Sequence, residues 1–382
     1  KNFYLALNPL LKKSFKEVIV ISVNDQTPNY FIQETDHGPI KIYNLKRSLH
    51  FGNTDRFFGE TNGVFHYHHR HYPIQELSEK FLTILLNTKK IKKIISEHKI
   101  DLIYFLDNFG FGMKYLKTIT GKKVAFAAAN YEPKGICYNK IQSFFLKGLD
   151  VIITYSNAYK NILVNLNIKK EKIHIIHWGV DTRRYKPLDI SEKNAIKGSL
   201  GINKDKYVIL WTGYIQQIQE CDFYKTVDIA KKFLAMSSKV EFIFCFKPES
   251  FKIKYLDEGE KGLKILNGIR DFGSLLSAVD LLISPIHKLE SSVSPPLTWV
   301  EAMARGIPVI TTSALGTDEI INHGVDGFIT HNYTTLLDDL VNIQKRGVSS
   351  KISAKAREKI CNEYDLQTIA NCYFEIFSKA KS

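Results

Sequence analysis

The sequence predicts a two-domain α/β protein whose parallel sheets are covered by helices on both faces. Three observations predict it. The chain has 382 residues, more than a single domain of roughly 150 residues accommodates. Short, continuously apolar, β-branched runs alternate with amphipathic stretches in both halves, the pattern of strands buried on two faces. A charged segment around Gly179–Leu188, containing Pro187, separates the halves before a clean strand begins at Tyr207.

The first readable element is a helix over Phe3–Ser14, followed by a strand over Glu17–Val23. A doubly wound domain opens with a strand and a glycine-rich turn. A chain starting at Lys1 with a helix is therefore expected to lack its native first strand. Leu102–Leu106, Val124–Ala127 and Val151–Thr154 read as buried strands, with helical stretches over Ile74–His98 and Asn157–Leu166. Tyr207–Thr212, Val240–Phe246, Leu281–Pro285 and Pro308–Thr312 repeat the scheme. A last helix, Leu366–Lys379, lies beyond the second set of strands and is expected to return to the first domain. The expected domains are residues 1–181, 182–364 and a C-terminal helix at 365–382.

The 44% hydrophobic and 24% charged fractions fit a soluble globular chain rather than a disordered one. The longest apolar runs, near Phe81–Leu86 and Phe242–Phe246, fall far short of the ~20 residues that cross a bilayer. The five cysteines are scattered, odd in number and without a Cys-x-x-Cys pair. This points to a reducing, cytoplasmic compartment without disulfide framework or structural zinc. The net charge of +14 suits anionic partners, or else reflects solvated lysine-rich helix faces. Basic clusters at Leu11–Lys16 and Lys89–Lys93 sit among apolar residues, as a surface facing anionic lipid would require.

The chemistry concentrates between Ser284 and Phe328. A strand ends at Ser284-Pro285, and a loop runs through Glu290 to Ser294. A helix over Pro295–Arg305 is then stopped by Gly306. Ser294 is the expected N-cap, Pro295 the first helical residue, and Gly306 the left-handed residue past the end. The strand Pro308-Val-Ile-Thr-Thr follows, then a turn at Ala314-Leu-Gly316 and the pair Asp318-Glu319. A helix N-terminus at the carboxyl end of a parallel strand presents free amides and a positive dipole end, which suit a phosphate. Ser294, Pro295 and Leu297 would line it, and Gly316 permits close backbone approach. Glu301, two turns into this helix, either accepts hydrogen bonds from ribose hydroxyls or is a solvated surface carboxylate.

The stretch "PPLTWVEAMARGIPVITTSALGTDEIINHGVDGF" at Pro295–Phe328 resembles the C-terminal signature of family 4 of the retaining glycosyltransferases. Two further stretches resemble that family: "KIHIIHWGVDTRRYKP" at Lys172–Pro187 and "VIITYSNA" at Val151–Ala158. The resemblance implies a GT-B fold, two Rossmann-like α/β/α domains with parallel sheets facing a central cleft. It also implies a nucleotide-sugar donor held by the C-terminal domain, a glycan or lipid-linked acceptor on the N-terminal one, and no metal. By position, Glu301 resembles the family's ribose-binding glutamate, and Gly316 and Glu319 resemble its loop and acid near the donor. No Asp-x-Asp motif is present.

Three positions depart from the family pattern. Its first glutamate, eight positions before the second, is Val293 here; Glu290 either substitutes for it or is a plain surface residue. The Arg and Lys that follow the glycine at Gly213 are Tyr214 and Gln219. Lys247, or less directly Arg270, is the candidate replacement cation, with a solvated strand-end lysine as the other reading. A histidine usual after the third strand is absent from Ala128-Ala-Asn130-Tyr-Glu132. There Asn130 or Glu132 could contact a sugar, and the Glu132 carboxylate would stabilise a developing positive charge at the anomeric carbon. Asp107, at the carboxyl end of a buried strand, would meet an acceptor hydroxyl or cap the next helix.

Phe65–His71 contains four histidines. In an extended strand His66, His68 and Arg70 share a face, so a metal site, a wall of the acceptor cleft and a structural edge strand all fit. Tyr155-Ser156-Asn157 reads as a turn and helix cap. The leading expectation is a metal-independent retaining transferase, peripheral to the inner face of an anionic membrane, with no nucleic acid partner. The missing donor-site residues keep open a non-catalytic binding or scaffold subunit. Other GT-B activities, sugar-nucleotide epimerisation or phosphorolysis, complete the alternatives.

Overall fold

The protein is described from a computed structural model. The structure describes residues 19–23, 30–33, 40–45, 56–61, 64–69, 81–105, 111–128, 136–213, 220–246, 261–267, 271–286, 296–314, 316–347 and 350–381. They group into two compact units. One comprises Lys1–Thr54, Arg70–Gly179 and Leu366–Ser382; the other comprises Asp55–His69 and Val180–Asp365.

In the first unit, β1 (Ile19–Val23), β2 (Tyr30–Gln33) and β3 (Ile40–Leu45) form a sheet of order β1-β3-β2. β1 runs parallel to β3, but β2 is antiparallel to it, so this sheet is not the purely parallel one expected. The expected Phe3–Ser14 helix lies outside the described residues. Residues 81–86 and α1 (Thr88–Glu97) are helical, with Asn87 as the N-cap of α1 between them. Then come β6 (Leu102–Phe105), α2 (Phe111–Thr120), β7 (Lys123–Ala127), α3 (Ile136–Lys147), β8 (Val151–Thr154), α4 (Asn157–Asn165) and β9 (Ile173–Ile175). β6-β7-β8-β9 is a parallel four-stranded sheet in sequence order. Ser156 caps α4, its hydroxyl accepting from the Tyr159 amide at 3.2 Å. The C-terminal helix α11 (Leu366–Lys381) packs Leu366, Ile369, Ala370, Tyr373 and Phe377 against Ala125, Val151 and Ile153 of this sheet.

The second unit holds β4 (Arg56–Thr61) and β5 (Val64–His69), an antiparallel hairpin. The histidines of β5 are therefore in a strand, but their side chains lie outside the described residues. From Val180 onward the elements are α5 (Ile190–Ser199), β10 (Tyr207–Gly213), α6 (Glu220–Met236), β11 (Val240–Phe246), β12 (Leu263–Asn267), α7 (Phe272–Ser277) and β13 (Leu281–Ile283). α8 (Leu297–Ala304), β14 (Val309–Thr312), β15 (Phe328–Thr330), α9 (Tyr333–Arg346) and α10 (Ser350–Glu363) complete it. The six strands are all parallel, in order β12-β11-β10-β13-β14-β15.

Alternation along each strand divides the core between the two faces. Val208, Leu210, Ile243, Cys245, Leu282 and Val309 pack with α8 and α10 on one face. Ile209, Trp211, Phe242, Phe244, Ile283 and Ile310 pack with α6 and α9 on the other. Double-sided burial explains why the central strands read as unbroken apolar runs. β12 and β15 are the two edge strands. Their half-polar sequences escape that signal. β14 starts one residue later than expected, after Pro308, because proline has no amide hydrogen to give the ladder.

Candidate functional site

The chain passes from β10 to β11 and β12 on one side, then returns to β13, β14 and β15 on the other. The strand order therefore reverses between β10 and β13. In such sheets ligands bind outside the carboxyl ends of the strands at that reversal. Gly213 is the last residue of β10. A Cβ on it would come within 3.1 Å of the Trp211 ring, so a side chain there would press on a buried, phenylalanine-lined indole.

Two threonines fasten the loop that leaves β13. The Thr311 hydroxyl donates to the Ser284 carbonyl at 2.9 Å, and the Ile286 amide donates to the Thr312 hydroxyl at 2.9 Å. The loop leads to α8, which begins at Leu297 with Pro296 as N-cap and no side-chain cap. This corrects the expected start, in which Ser294 capped the helix and Pro295 was its first residue. A residue before proline is disfavoured in the α conformation, so the Pro295-Pro296 pair moves the entry two residues on. Glu301 is then the fifth helical residue, little more than one turn in. Leu297 is half-buried, while Trp299, Val300 and Ala302–Ala304 are buried. Pro296 has no side-chain acceptor to cap this entry, and the Trp299 amide already donates to Pro296 O at 2.9 Å, so the Leu297 and Thr298 amides are the ones that suit an anion.

The end of α8 is as the sequence predicts. Gly306 has φ 73°. Its amide donates to Met303 O at 2.9 Å, and the Ile307 amide donates to Ala302 O at 3.0 Å, the paired bonds of a Schellman ending.

Glu301 is half-buried. The Tyr185 hydroxyl donates to its Oε1 at 3.0 Å. Arg305, one helical turn beyond, stacks its guanidinium 5.2 Å from the Tyr185 ring centre and donates to Lys186 O at 3.0 Å. Gly273 lets this group close up, since a Cβ there would meet Arg305 Nη2 and Asp271 Oδ1, each at 3.3 Å. Burial, then the Glu301 charge and its hydrogen bond, raise the Tyr185 phenol above its ordinary range. It therefore stays a protonated donor. Burial lowers Arg305, opposed by Tyr185, Asp271 and Glu301. Arg357 of α10 secures the backbone behind the group. Its guanidinium donates to Tyr185 O at 3.0 Å, to Thr182 O at 3.3 Å and to Ala304 O. Thr182 in turn donates to Asp365 at 2.6 Å.

Gly316 is buried with φ 85° in the turn after β14. The Thr317 hydroxyl donates back to Ala314 O at 2.8 Å and winds that turn. Glu319 is half-buried there. Burial, then Glu363, Glu319 and Asp326, raise the Tyr364 phenol. Gly213 ends β10, Leu297 and Glu301 stand on the helix that follows β13, and Gly316 and Glu319 follow β14, three neighbouring strands of the sheet. Asp107, Glu132, Lys247, Glu290, Ser294 and Pro295 lie outside the described residues, as do Asn130, Tyr214, Gln219, Arg270 and Val293. The sequence reading missed the roles of Tyr185, Arg305 and Arg357. Tyr185 carried the one available signal, as the aromatic before Pro187 in the quoted interdomain stretch.

A doubly wound parallel sheet, with a helix entry and a braced carboxylate following its strand ends, defines an α/β protein of the Rossmann-like class. Residues 35–184 match the family described as Glycosyltransferase Family 4, and residues 206–345 match Glycosyl transferases group 1. The chain belongs to the family 4 glycosyltransferases and has their GT-B fold. It is similar to the UDP-Gal:alpha-D-GlcNAc-diphosphoundecaprenol alpha-1,3-galactosyltransferase of Escherichia coli, at 22% identity over 63% of this chain. The match spans 63% of that relative's length. The fold is similar to the sucrose-phosphate synthase of Thermosynechococcus elongatus, with TM-score 0.71 and 13% identity over 99% of this chain and 92% of that one. It is likewise similar to Anabaena HepE in complex with UDP, with TM-score 0.67 and 17% identity over 99% and 96%.

Among the described residues no group of histidine, cysteine and carboxylate side chains is placed to hold a metal ion. No helix among them is long and apolar enough to cross a membrane.

Proposed function

We propose that this protein transfers a sugar from a nucleotide-sugar donor to a glycan or lipid-linked acceptor, with retention of anomeric configuration and without a metal. The observation that carries this reading is Glu301. It stands one turn inside the helix that follows the reversal of strand order, with one oxygen held by Tyr185. A carboxylate so fixed suits a pair of ribose hydroxyls, and the α8 entry suits the diphosphate leaving group. The donor site is assigned to Ser294, Pro295, Leu297, Glu301, Gly316, Glu319 and Gly213, with Lys247 and Glu290 as further contacts. Glu132 and Asp107 are assigned to the reacting sugar and the acceptor hydroxyl. The 1–181 domain would receive the acceptor and the 182–364 domain the donor, with 365–382 tied to the first.

A UDP-sugar is the first donor to test, because HepE binds UDP and the Escherichia coli relative uses UDP-Gal. That relative's diphosphoundecaprenol acceptor supports a lipid-linked acceptor here, presented at the cytoplasmic face of an anionic membrane. Thermal unfolding with UDP-, GDP- and ADP-sugars tests the donor site. Ligand at about 100 times its Kd adds about 2.7 kcal/mol of stability, and Glu301→Gln is expected to remove that gain. No shift with any nucleotide sugar would refute the assignment. A shift without nucleotide release, whatever the acceptor, would favour the binding-subunit reading that Val293, Tyr214 and Gln219 motivate.

A further inference from the structure

The described residues of the first unit carry an apolar surface that the donor site does not use. Leu85, Leu86, Phe111, Ile141 and Phe144 are all exposed, with Leu86 at 62% and Phe111 at 54%. The other exposed large apolar side chains, such as Ile190 and Met236, stand on separate elements of the chain. Four of them share one face, with Leu85 one turn from Phe81, whereas Leu86 lies about 200° round its helix from Ile84 and points away from α2. Phe111 of α2 meets Phe144 of α3 at 6.4 Å between ring centres, and Phe81 meets Phe111 at 6.2 Å. Gly112 lies so close to Ile84 that an added Cβ would overlap its side chain, which fixes the 81–86 helix against α2. Ile141 lies one turn before Phe144 on α3.

Lysines frame this surface. Lys114 Nζ lies 4.0 Å above the Phe144 ring, while Lys89, Lys140 and Lys147 are exposed on the same helices. Among the described residues of these helices the one carboxylate is Glu97, and it is paired with Lys93. Packed apolar side chains with lysines around them match the boundary of an anionic bilayer. The rings and the Leu85 side chain enter the acyl edge, and the ammonium groups meet the phosphates. A soluble protein partner of mixed charge would not need so one-sided a rim. We propose that this face, formed by the 81–86 helix with the adjoining start of α1, α2 and α3, docks the protein on anionic phospholipid. This deepens the proposed reaction, on which it rests only for the reason the protein meets a membrane.

The test is sedimentation of the full chain with phosphatidylcholine vesicles, with and without phosphatidylglycerol. Binding is expected only with the anionic lipid, and is expected to fall as salt rises. Leu85→Ser/Phe144→Ser removes exposed apolar side chains of this face, and Lys89→Glu/Lys140→Glu reverses exposed charge. Each is expected to lower partitioning by about tenfold, with melting temperature and nucleotide-induced shift kept. No binding of the parent chain to anionic vesicles overturns the proposal, as does unchanged binding by both variants. A dimer in ultracentrifugation that Leu85→Ser/Phe144→Ser dissolves would overturn it in favour of a second copy. The nucleotide shift, measured without vesicles, reads the donor site separately, so failure of one reading does not mimic failure of the other.

Discussion

The Tyr185 hydroxyl donates to Glu301 Oε1 at 3.0 Å, joining residues 116 positions apart. The phenol comes from the segment that enters the second unit, and the carboxylate from the helix beside the strand-order reversal. Tyr185→Phe keeps the ring under Arg305 and removes only this bond. A hydrogen bond to a charged group contributes about 1.5–3 kcal/mol when sheltered, less when half-exposed. Tyr185→Phe is therefore expected to raise the KM for donor about fivefold to twentyfold with kcat little changed. Steady-state kinetics over donor concentration checks this. A fall in kcat at constant KM would show that Tyr185 acts elsewhere.

Arg357 donates to the carbonyls of Thr182, Tyr185 and Ala304. Arg357→Met keeps much of the side chain's bulk but leaves these acceptors without their donor. The expected loss is about 2–4 kcal/mol of stability, read from urea unfolding. The variant is also expected to bind donor more weakly, because the backbone carrying Tyr185 loses its brace.

Gly306 ends α8 at φ 73°, where an L side chain is strained. The nearest backbone atom to an added Cβ is Ser353 O, at 3.4 Å. Gly306→Ala is expected to cost about 1–2 kcal/mol. Denaturant unfolding should show it with an unchanged slope, since the end of one helix does not alter the surface exposed on unfolding.

His174 of β9 is held below its ordinary value of 6.5, first by burial and then by Lys160 and Lys379. The unfolded chain therefore takes up this proton at higher pH than the folded one. The contribution is complete above the unfolded value and is lost as pH falls through about 6.5 toward the lowered folded value. Stability is expected to drop between pH 7 and 5, and His174→Asn to flatten that drop. Urea midpoints across this range check it; equal slopes for both proteins would exclude His174 as the source.

Much of the second unit was legible because its central strands are buried on both faces, and β11 and β14 read directly as apolar runs. The edge strands β12 and β15 were not, since burial on fewer sides leaves no such run. The helix carrying Glu301 was legible from its Gly306 stop, yet its start was misplaced. A serine before a proline is a local capping signal, and it ignores what a second proline does to the residue before it.

Local spacing alone determined that a helix follows the β13 strand, that glycine ends it and that Glu301 projects from its first turns. Tertiary structure alone decided what Glu301 faces. Tyr185, Arg305 and Arg357 act through contacts between segments far apart in the chain, and residue order carries no record of such distances. The lysine-framed face of the first unit divides in the same way. The basic cluster Lys89–Lys93 is visible in the sequence, but only the packing of the 81–86 helix on α2, and of α2 on α3, gathers exposed Leu and Phe side chains beside it. Periodicity tells which side of a helix is apolar; the neighbouring helices decide how much of that side stays uncovered.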